Sequence, residues 1–430
     1  MDDVLKQIKK LIPRKVFNAL SPAYHYTLAL SGAILYRFPS RRLTVIAVTG
    51  TKGKSSTTEM LNSIFEAAGY KTVLLNTIRW KIADESKPND RKMTIPGRFF
   101  IQRMMRRGLS RGCDVAILEI SSEAAKQYRH KFIYLDALIF TNLSPEHIES
   151  HGSFEKYRAA KLKIAESLSK RLKNKSIMVA NADDPNSDLF LACGAEETYP
   201  YSITNGEPYT IDSNGICFTY KGTEIKSSLR GMFNLYNILG ASVCAEAFGI
   251  SPLIIREGLE SLSLIRGRVE FVKFPDDDPK KERQDFDVVI DYAHTSGSLT
   301  ELYKAFEGQK KVCVLGNTGG GRDKWKRPEM ARVADAFCDE VILTNEDPYD
   351  EDPDKIIEDM MPGFTEHTPT IIMDRRAAIA EAIRRAGPSD AVLITGKGTD
   401  PYIMLADNKK LPWSDSEVAR EELEKLLADS

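Results

Sequence analysis

Apolar residues along the chain alternate between two periods. Residues 43–68, LTVIAVTGTKGKSSTTEMLNSIFEAA, open with a β-branched run (Thr44, Val45, Ile46, Val48) that predicts a buried strand. From Lys54 onward apolar residues recur at helical spacing (Met60, Leu61, Ile64, Phe65), so a helix follows directly. Apolar runs at 71–75, 115–120, 135–140 and 177–180 predict further strands, and Ser153 opens a helix between the last two. Residues 81–92 are polar and charged and read as a surface loop, whereas 198–230 read as short strands with polar turns. A helix starts near Gly231; its Asn234 and Asn237, three apart, share one face and need a partner such as a purine or a backbone. Composition changes at Arg266-Gly267-Arg268-Val269-Glu270, and the strand–helix rhythm then resumes with runs at 288–294, 311–316, 340–345, 370–374 and 391–396.

The turn between the first strand and its helix is Gly50-Thr51-Lys52-Gly53-Lys54-Ser55-Ser56. Two glycines let backbone N–H groups close around a phosphate chain, and the helix N-terminus faces the negative charge. Lys54 can reach terminal phosphates and the Ser55 hydroxyl suits Mg2+. A full P-loop would have glycine at Val48; the shorter Gly-x-x-Gly-Lys-Ser draws its weight from standing at a strand–helix junction. Glu119 ends a strand of the same sheet, where it either supplies a further Mg2+ ligand or faces water. His147 stands in a polar loop just after residues 135–140, and Lys161 lies among Ala159, Ala160 and Leu162, unlike the exposed Lys156 and Lys163. Residues 316–323, GNTGGGRD, depart from Gly-x-Gly-x-x-Gly and stand mid-domain, which argues against a nicotinamide site. The whole predicts an α/β protein: a helical N-terminal segment (1–42), a central P-loop ATPase domain with a mostly parallel sheet (43–265), and a C-terminal Rossmann-like α/β domain (266–430).

Charge and cysteine usage narrow the class. Lys and Arg total 60 against 61 Asp and Glu, a net charge of -1 that argues against a general nucleic-acid binder. The six cysteines form no C-x-x-C pair and read as free thiols of a reducing, cytoplasmic compartment, with no zinc site. Residues 18–36 hold no Asp, Glu, Lys or Arg and are flanked by Arg14, Lys15, Arg37, Arg41 and Arg42. Pro22, His25 and several small polar residues dilute the run, so a helix packed on the body of the protein ranks first, a peripheral membrane contact second and a true span third.

In order, the segments TGTKGKSSTT, LEISSEA, TNLSPEHIESHGSFEKYRAAK, NADDPN, GMFNLYNILGA, RGRVE, DYAHT, GGGRDKWKRPEM, DPYDEDP, DRRAAI and GKGTD resemble the Mur ligase family of ATP-dependent amide synthases. The resemblance runs from about residue 43 to the C-terminus. It looks most like the branch that adds a diamino acid to UDP-N-acetylmuramoyl-L-alanyl-D-glutamate in peptidoglycan synthesis. It implies ATP and Mg2+ as cofactors, with Gly50, Thr51, Lys52, Gly53, Lys54, Ser55 and Ser56 on the phosphates. Ser55, Glu119, His147 and a carbamoylated Lys161 would hold the metal ions; Lys54, Glu119, His147 and Lys161 form the catalytic set. Asn234, Arg268, Asp291 and His294 would contact the nucleotide. Thr94, Ser121, Arg129, Lys324, Arg327, Asp347, Tyr349 and Lys397 would surround the acyl and amino-acid substrates. The implied partners are small molecules, a cell-wall precursor and an amino acid, acted on by a monomer.

Three departures refine that expectation. Family members that grip a UDP-sugar carry a whole domain before the P-loop, and nothing before residue 43 is large enough to enclose a uridine. The expectation is therefore weak dependence on UDP, with residues 18–36 beside the cleft or at a membrane bearing lipid-linked precursors. Glu346-Asp347-Pro348-Tyr349 replaces the Asp-Asn-Pro-Arg that serves diaminopimelate, and Glu123 and Gly396-Lys397-Gly398-Thr399-Asp400 replace histidine-bearing motifs. The rival readings are a folylpolyglutamate synthase, which shares the two-domain core and a GTKGK loop, and a non-catalytic nucleotide-binding partner in a cell-wall complex. DPYDEDP and GKGTD favour the muramoyl branch over the first, and Lys54, Glu119, His147 and Lys161 argue against the second.

Overall fold

A computed structural model describes residues 14–91, 93–146, 148–168, 176–275 and 277–429. Its first sheet contains β1 (Thr44–Thr49), β2 (Thr72–Leu75), β3 (Arg79–Ile82), β4 (Glu85–Pro88), β5 (Val115–Glu119), β6 (Ala137–Phe140), β7 (Ile177–Asn181) and β8 (Glu197–Tyr201). The spatial order is β4-β3-β2-β5-β1-β6-β7-β8. β1 pairs in parallel with β5 and β6, and antiparallel pairing is confined to β2–β3 and β3–β4. Helices cover both faces of the central strands, which is why those strands read as continuous apolar runs rather than alternating ones. Ile46 and Val48 of β1 pack under the helices Lys54–Ala67 and Met232–Ala247; Val45 and Ala47 pack under Arg98–Ser110 and Phe154–Ala165. Ser153 caps the last of these, its hydroxyl accepting the Lys156 amide at 3.3 Å.

The polar stretch expected as a loop over 81–92 is instead mostly a hairpin at the sheet edge. Trp80 and Ile82 reach the core on alternate positions, and Ala83 (φ 49°) makes the turn. Arg79 forks onto Glu59 at 2.6–3.0 Å, and the Lys81 ammonium pairs with Glu66. Over residues 81–92 Ile82, Ala83 and Pro88 stand among nine charged or polar residues, too few for a period-two signal to stand out. β9 (Tyr209–Asp212), β10 (Gly215–Tyr220) and β11 (Thr223–Ser227) form the small antiparallel sheet expected from 198–230.

The second large sheet comprises β12 (Glu270–Phe271), β13 (Asp287–Asp291), β14 (Lys311–Leu315), β15 (Glu340–Leu343), β16 (Thr370–Ile371) and β17 (Ala391–Thr395), in the order β12-β13-β17-β14-β15-β16. Only β12–β13 is antiparallel. The run 370–374 yields just two strand residues, because Asp374 turns to cap the helix Arg375–Arg385. The expectation of six free thiols is corrected at one pair: Cys313 in β14 and Cys338, just beyond the helix Lys326–Phe337, are disulfide-bonded. They meet only once helix and strand pack, a proximity that their 25-residue separation does not announce.

A buried ion pair ties this sheet to the C-terminal helix Asp415–Asp429. Arg375 and Asp415 are both fully enclosed, with Nε–Oδ1 at 2.8 Å and Nη2–Oδ2 at 2.7 Å, and Nη2 also donates to the Thr395 carbonyl. Asp415→Ala would strand a guanidinium in the core, so we expect a loss of about 3–5 kcal/mol, read as a lower denaturant midpoint at unchanged slope. A change under 1 kcal/mol would contradict this account of the pair.

Candidate active site

Local sequence forces the phosphate loop into shape. Gly50 (φ +152°) and Gly53 (φ +81°) take conformations that side chains resist, and a Cβ at either would collide with Thr141 Oγ1 (1.9 Å) or Asn237 Oδ1 (2.1 Å). Gly53 caps the helix Lys54–Ala67 without a side-chain acceptor, so the first amides of that helix are not claimed by a capping side chain. Lys54 Nζ donates to the Thr51 carbonyl at 2.8 Å. The Ser55 hydroxyl donates to Glu119 Oε2 at 2.8 Å, and the Thr77 amide donates to the same oxygen. Glu119, in register with Val48 across the β1–β5 ladder, is therefore buried against the loop, and the alternative that it faces water is excluded.

Lys161 is the deepest charge-bearing group here. Its side chain is 1% exposed, and Nζ donates to the Gly50 carbonyl at 2.5 Å and lies 4.8 Å from the Tyr157 ring centroid. Burial first, and the Lys54 charge second, hold its amine well below the ordinary lysine value, although Glu146 and Glu119 pull the other way.

The loop, Ser55 and Glu119 border a cavity of about 690 Å³ between the two large sheets, and Lys161 is packed behind the loop rather than lining it. Thr51, Lys52, Gly53, Lys54, Ser55, Ser56, Glu119, Thr94, Ser121 and Arg129 line it from the first sheet; Arg268, Asp291, His294, Asp347 and Tyr349 line it from the second. Thr94 bonds Thr77, Ser121 caps the short helix Ser122–Lys126, and Arg129 anchors on Gln127. Arg268 lies 4.4 Å over the Tyr292 ring; Asp291 accepts the Val269 and Ala293 amides, and burial raises its pKa. His294 Nε2 meets Glu146 Oε1 at 3.4 Å across the cleft. Lys52 also crosses it, lying 2.7 Å from where a Cβ on Gly297 would stand. A second hollow of about 820 Å³ near Arg230 and Asp287 lies away from the loop.

Several expected residues stand elsewhere. Arg327 is wholly buried, clamped by Glu351 and Asp359 at 2.7–3.0 Å, and Lys324 pairs with Glu351 at 2.5 Å; neither lines the cavity. Lys397 is equally buried on Asp347 (2.8 Å) and on the Tyr402 carbonyl. Asn234 turns its amide to the Arg230 carbonyl, and it is Asn237 that reaches the cavity. His147 lies outside the described residues. Sequence reading missed Glu146, Tyr157 and Glu346. Glu346 is 3% exposed, borders the cavity, and its Oε2 has no hydrogen-bond partner among the described residues. Burial and the adjacent Asp347 raise its pKa.

Comparison with known proteins fits this geometry. Residues 48–245 match the Mur ligase middle domain and residues 267–398 the Mur ligase, glutamate ligase domain. The chain is 35% identical over 406 residues to the UDP-N-acetylmuramoyl-L-alanyl-D-glutamate--2,6-diaminopimelate ligase of Bacillus licheniformis, covering 91% of this chain and 81% of that protein. The chain belongs to the Mur ligase family. Its relatives are ATP-dependent ligases of peptidoglycan synthesis, and this Mur ligase shares 36% identity over 397 residues with the same-named enzyme of Bacillus velezensis (89% and 79% covered). Among solved structures, a UDP-N-acetylmuramoyl-L-alanyl-D-glutamate--2,6-diaminopimelate ligase aligns with TM-score 0.60 at 26% identity, covering 92% and 82%. The fold is also that of Mycobacterium tuberculosis folylpolyglutamate synthase, with TM-score 0.70 at 15% identity over 92% and 95%.

Proposed function

We propose that this Mur ligase uses ATP to phosphorylate the carboxylate of a muramoyl-dipeptide-like cell-wall precursor and then joins the acyl group to an amino acid with a cationic side chain. The observation that carries the reading is one cavity bringing the glycine loop and the Ser55–Glu119 pair against residues of the second sheet, with the buried Lys161 behind the loop on the Gly50 carbonyl. The loop fits a triphosphate, since its two glycines keep the backbone clear of side chains and the helix amides and Lys54 supply positive charge. Ser55, Glu119 and Lys161 would hold Mg2+, which supplies charge neutralisation as carboxylate meets polyphosphate.

Lys54 would accompany the terminal phosphoryl group while a carboxylate oxygen attacks phosphorus and ADP leaves with the bonding electrons. The amino acid's lone pair then attacks the acyl carbon, phosphate departs, and the amine loses a proton. Lys52 and the Glu146–His294 contact span the cleft and would hold the two halves together around the water-sensitive acyl phosphate. Phosphate release with UDP-muramoyl-dipeptide plus a panel of diamino acids, set against tetrahydrofolate plus glutamate, tests the reading. Turnover only with the folate pair would transfer the chain to folylpolyglutamate synthesis; no ATP turnover with any acceptor would support a non-catalytic role.

A further inference from the structure

The helix Arg14–Leu35 turns one side to the protein and leaves the other without charge. Ala29, Gly32 and Ala33 are buried, with Gly32 against the Arg98–Phe99 backbone, and His25 contacts Arg98 at 2.5 Å. On the outer side stand Ala23, Tyr24, Thr27, Ser31, Ile34 and Leu35, with Tyr24 49%, Ile34 57% and Leu35 63% exposed. Thr27 spends its hydroxyl on the Ala23 and Tyr24 carbonyls at 3.0 Å, which makes this side less polar still. Among the described residues nothing covers these exposed side chains, and no helix is long and apolar enough to cross a membrane.

The surroundings indicate what the face meets. Arg37 and Arg42 follow the helix, and Phe99, Arg103 and Arg107 form an exposed stripe at four-residue spacing on the neighbouring helix Arg98–Ser110. Arg37, Arg42 and Arg103 make no ion pair among the described residues. No Asp or Glu occurs from residue 4 to 58 or from 98 to 113. A second copy of this chain would bring the same positive rim against itself, whereas an anionic lipid surface satisfies both the apolar centre and the arginines.

We propose that this outer face of the Arg14–Leu35 helix, with the arginines beside it, docks on a bilayer surface rich in anionic phospholipid. The proposal does not depend on which substrate the cleft takes. The test is co-sedimentation of the full chain with vesicles of phosphatidylcholine alone and of equal parts phosphatidylcholine and phosphatidylglycerol, at low and high salt. Binding is expected only to the anionic vesicles, weakening as salt rises. Ile34→Asp with Leu35→Asp, and separately Arg37→Glu with Arg42→Glu, should each reduce the bound fraction tenfold or more. The distant surface change Ile371→Asp should not, and circular dichroism checks that all variants fold. Equal binding to both vesicles, binding unaffected by either pair, or no binding overturns the proposal. So does a dimer in ultracentrifugation that Ile34→Asp with Leu35→Asp dissolves, which would assign the face to a second copy.

Discussion

Lys161→Ala is expected to lower the ligation rate on the order of a thousandfold, equivalent to about 4 kcal/mol of lost transition-state stabilisation, while the protein still folds. The buried ammonium is at odds with its role as long as it keeps its proton. Two like charges 4 Å apart repel by about 4 kcal/mol at an effective dielectric of 20, and Lys54 and any metal at Ser55 and Glu119 would be close neighbours. Burial and Lys54 already hold the Lys161 amine well below its usual value, a shift that favours the neutral form. Its lone pair can then attack the carbon of CO2, and loss of one amine proton leaves a carbamate, an anionic oxygen ligand suited to Mg2+. The alternative is a structural amine, whose hydrogen bond among the described residues is to the Gly50 carbonyl at 2.5 Å. The two differ in rescue: short carboxylic acids added to Lys161→Ala should restore part of the rate by standing in for the carbamate. Near-normal activity of the variant, with an unmodified lysine by mass spectrometry of the intact wild-type protein, would rule the carbamate out.

What the sequence revealed depended on whether the chemistry was local. The glycine loop is a strand–helix junction encoded within seven residues, and Glu119 ends a strand of the same sheet, so their nearness was legible while the direction of the Glu119 carboxylate was not. Lys161 stood out by its apolar neighbours on one helix. Roles that depend on which way a side chain turns after packing were not legible. Arg327 and Lys397 lie in strings that resemble a ligase site, yet Glu351 and Asp359 enclose the first and Asp347 the second. Asn234 and Asn237 share a face, but only the register against the Lys54–Ala67 helix decides which one meets the cavity. Glu146 and Glu346 draw their interest from groups far along the chain, His294 opposite the one and the closely packed Gly316 and Gly396 around the other. The edge hairpin and the Cys313–Cys338 bond escaped for the same reason.

With L-lysine or L-ornithine as acceptor, catalytic efficiency is expected to exceed that with meso-diaminopimelate by about a hundredfold, or roughly 2.7 kcal/mol. L-Lysine differs from diaminopimelate in one group: diaminopimelate carries a second carboxylate beside its distal ammonium. Where the resembling branch has an arginine to clamp that carboxylate, Tyr349 stands in a left-handed conformation (φ 53°) at the cavity wall. Arg375, a candidate replacement, is sealed on Asp415 beneath the surface. Of the guanidiniums that do line the cavity, Arg129 is held by Gln127 and the Ile95 carbonyl and Arg268 by the Gly267 carbonyl and the Tyr292 ring. That leaves Arg322, one guanidinium for the one carboxylate every α-amino acid brings. The wall near Tyr349 is acidic instead. Glu346 presents a buried oxygen without a hydrogen-bond partner among the described residues, and burial together with Asp347 outweighs Arg375 and Lys397 in making its charged form costly. An ammonium without a neighbouring carboxylate satisfies that oxygen, whereas a second carboxylate enters the cavity unpaired beside two acids. Glu346→Gln should therefore cost lysine turnover at least tenfold through KM and narrow the gap between the two acceptors. Higher kcat/KM with meso-diaminopimelate than with L-lysine in the wild-type protein would show that another group receives the second carboxylate and would sink the assignment.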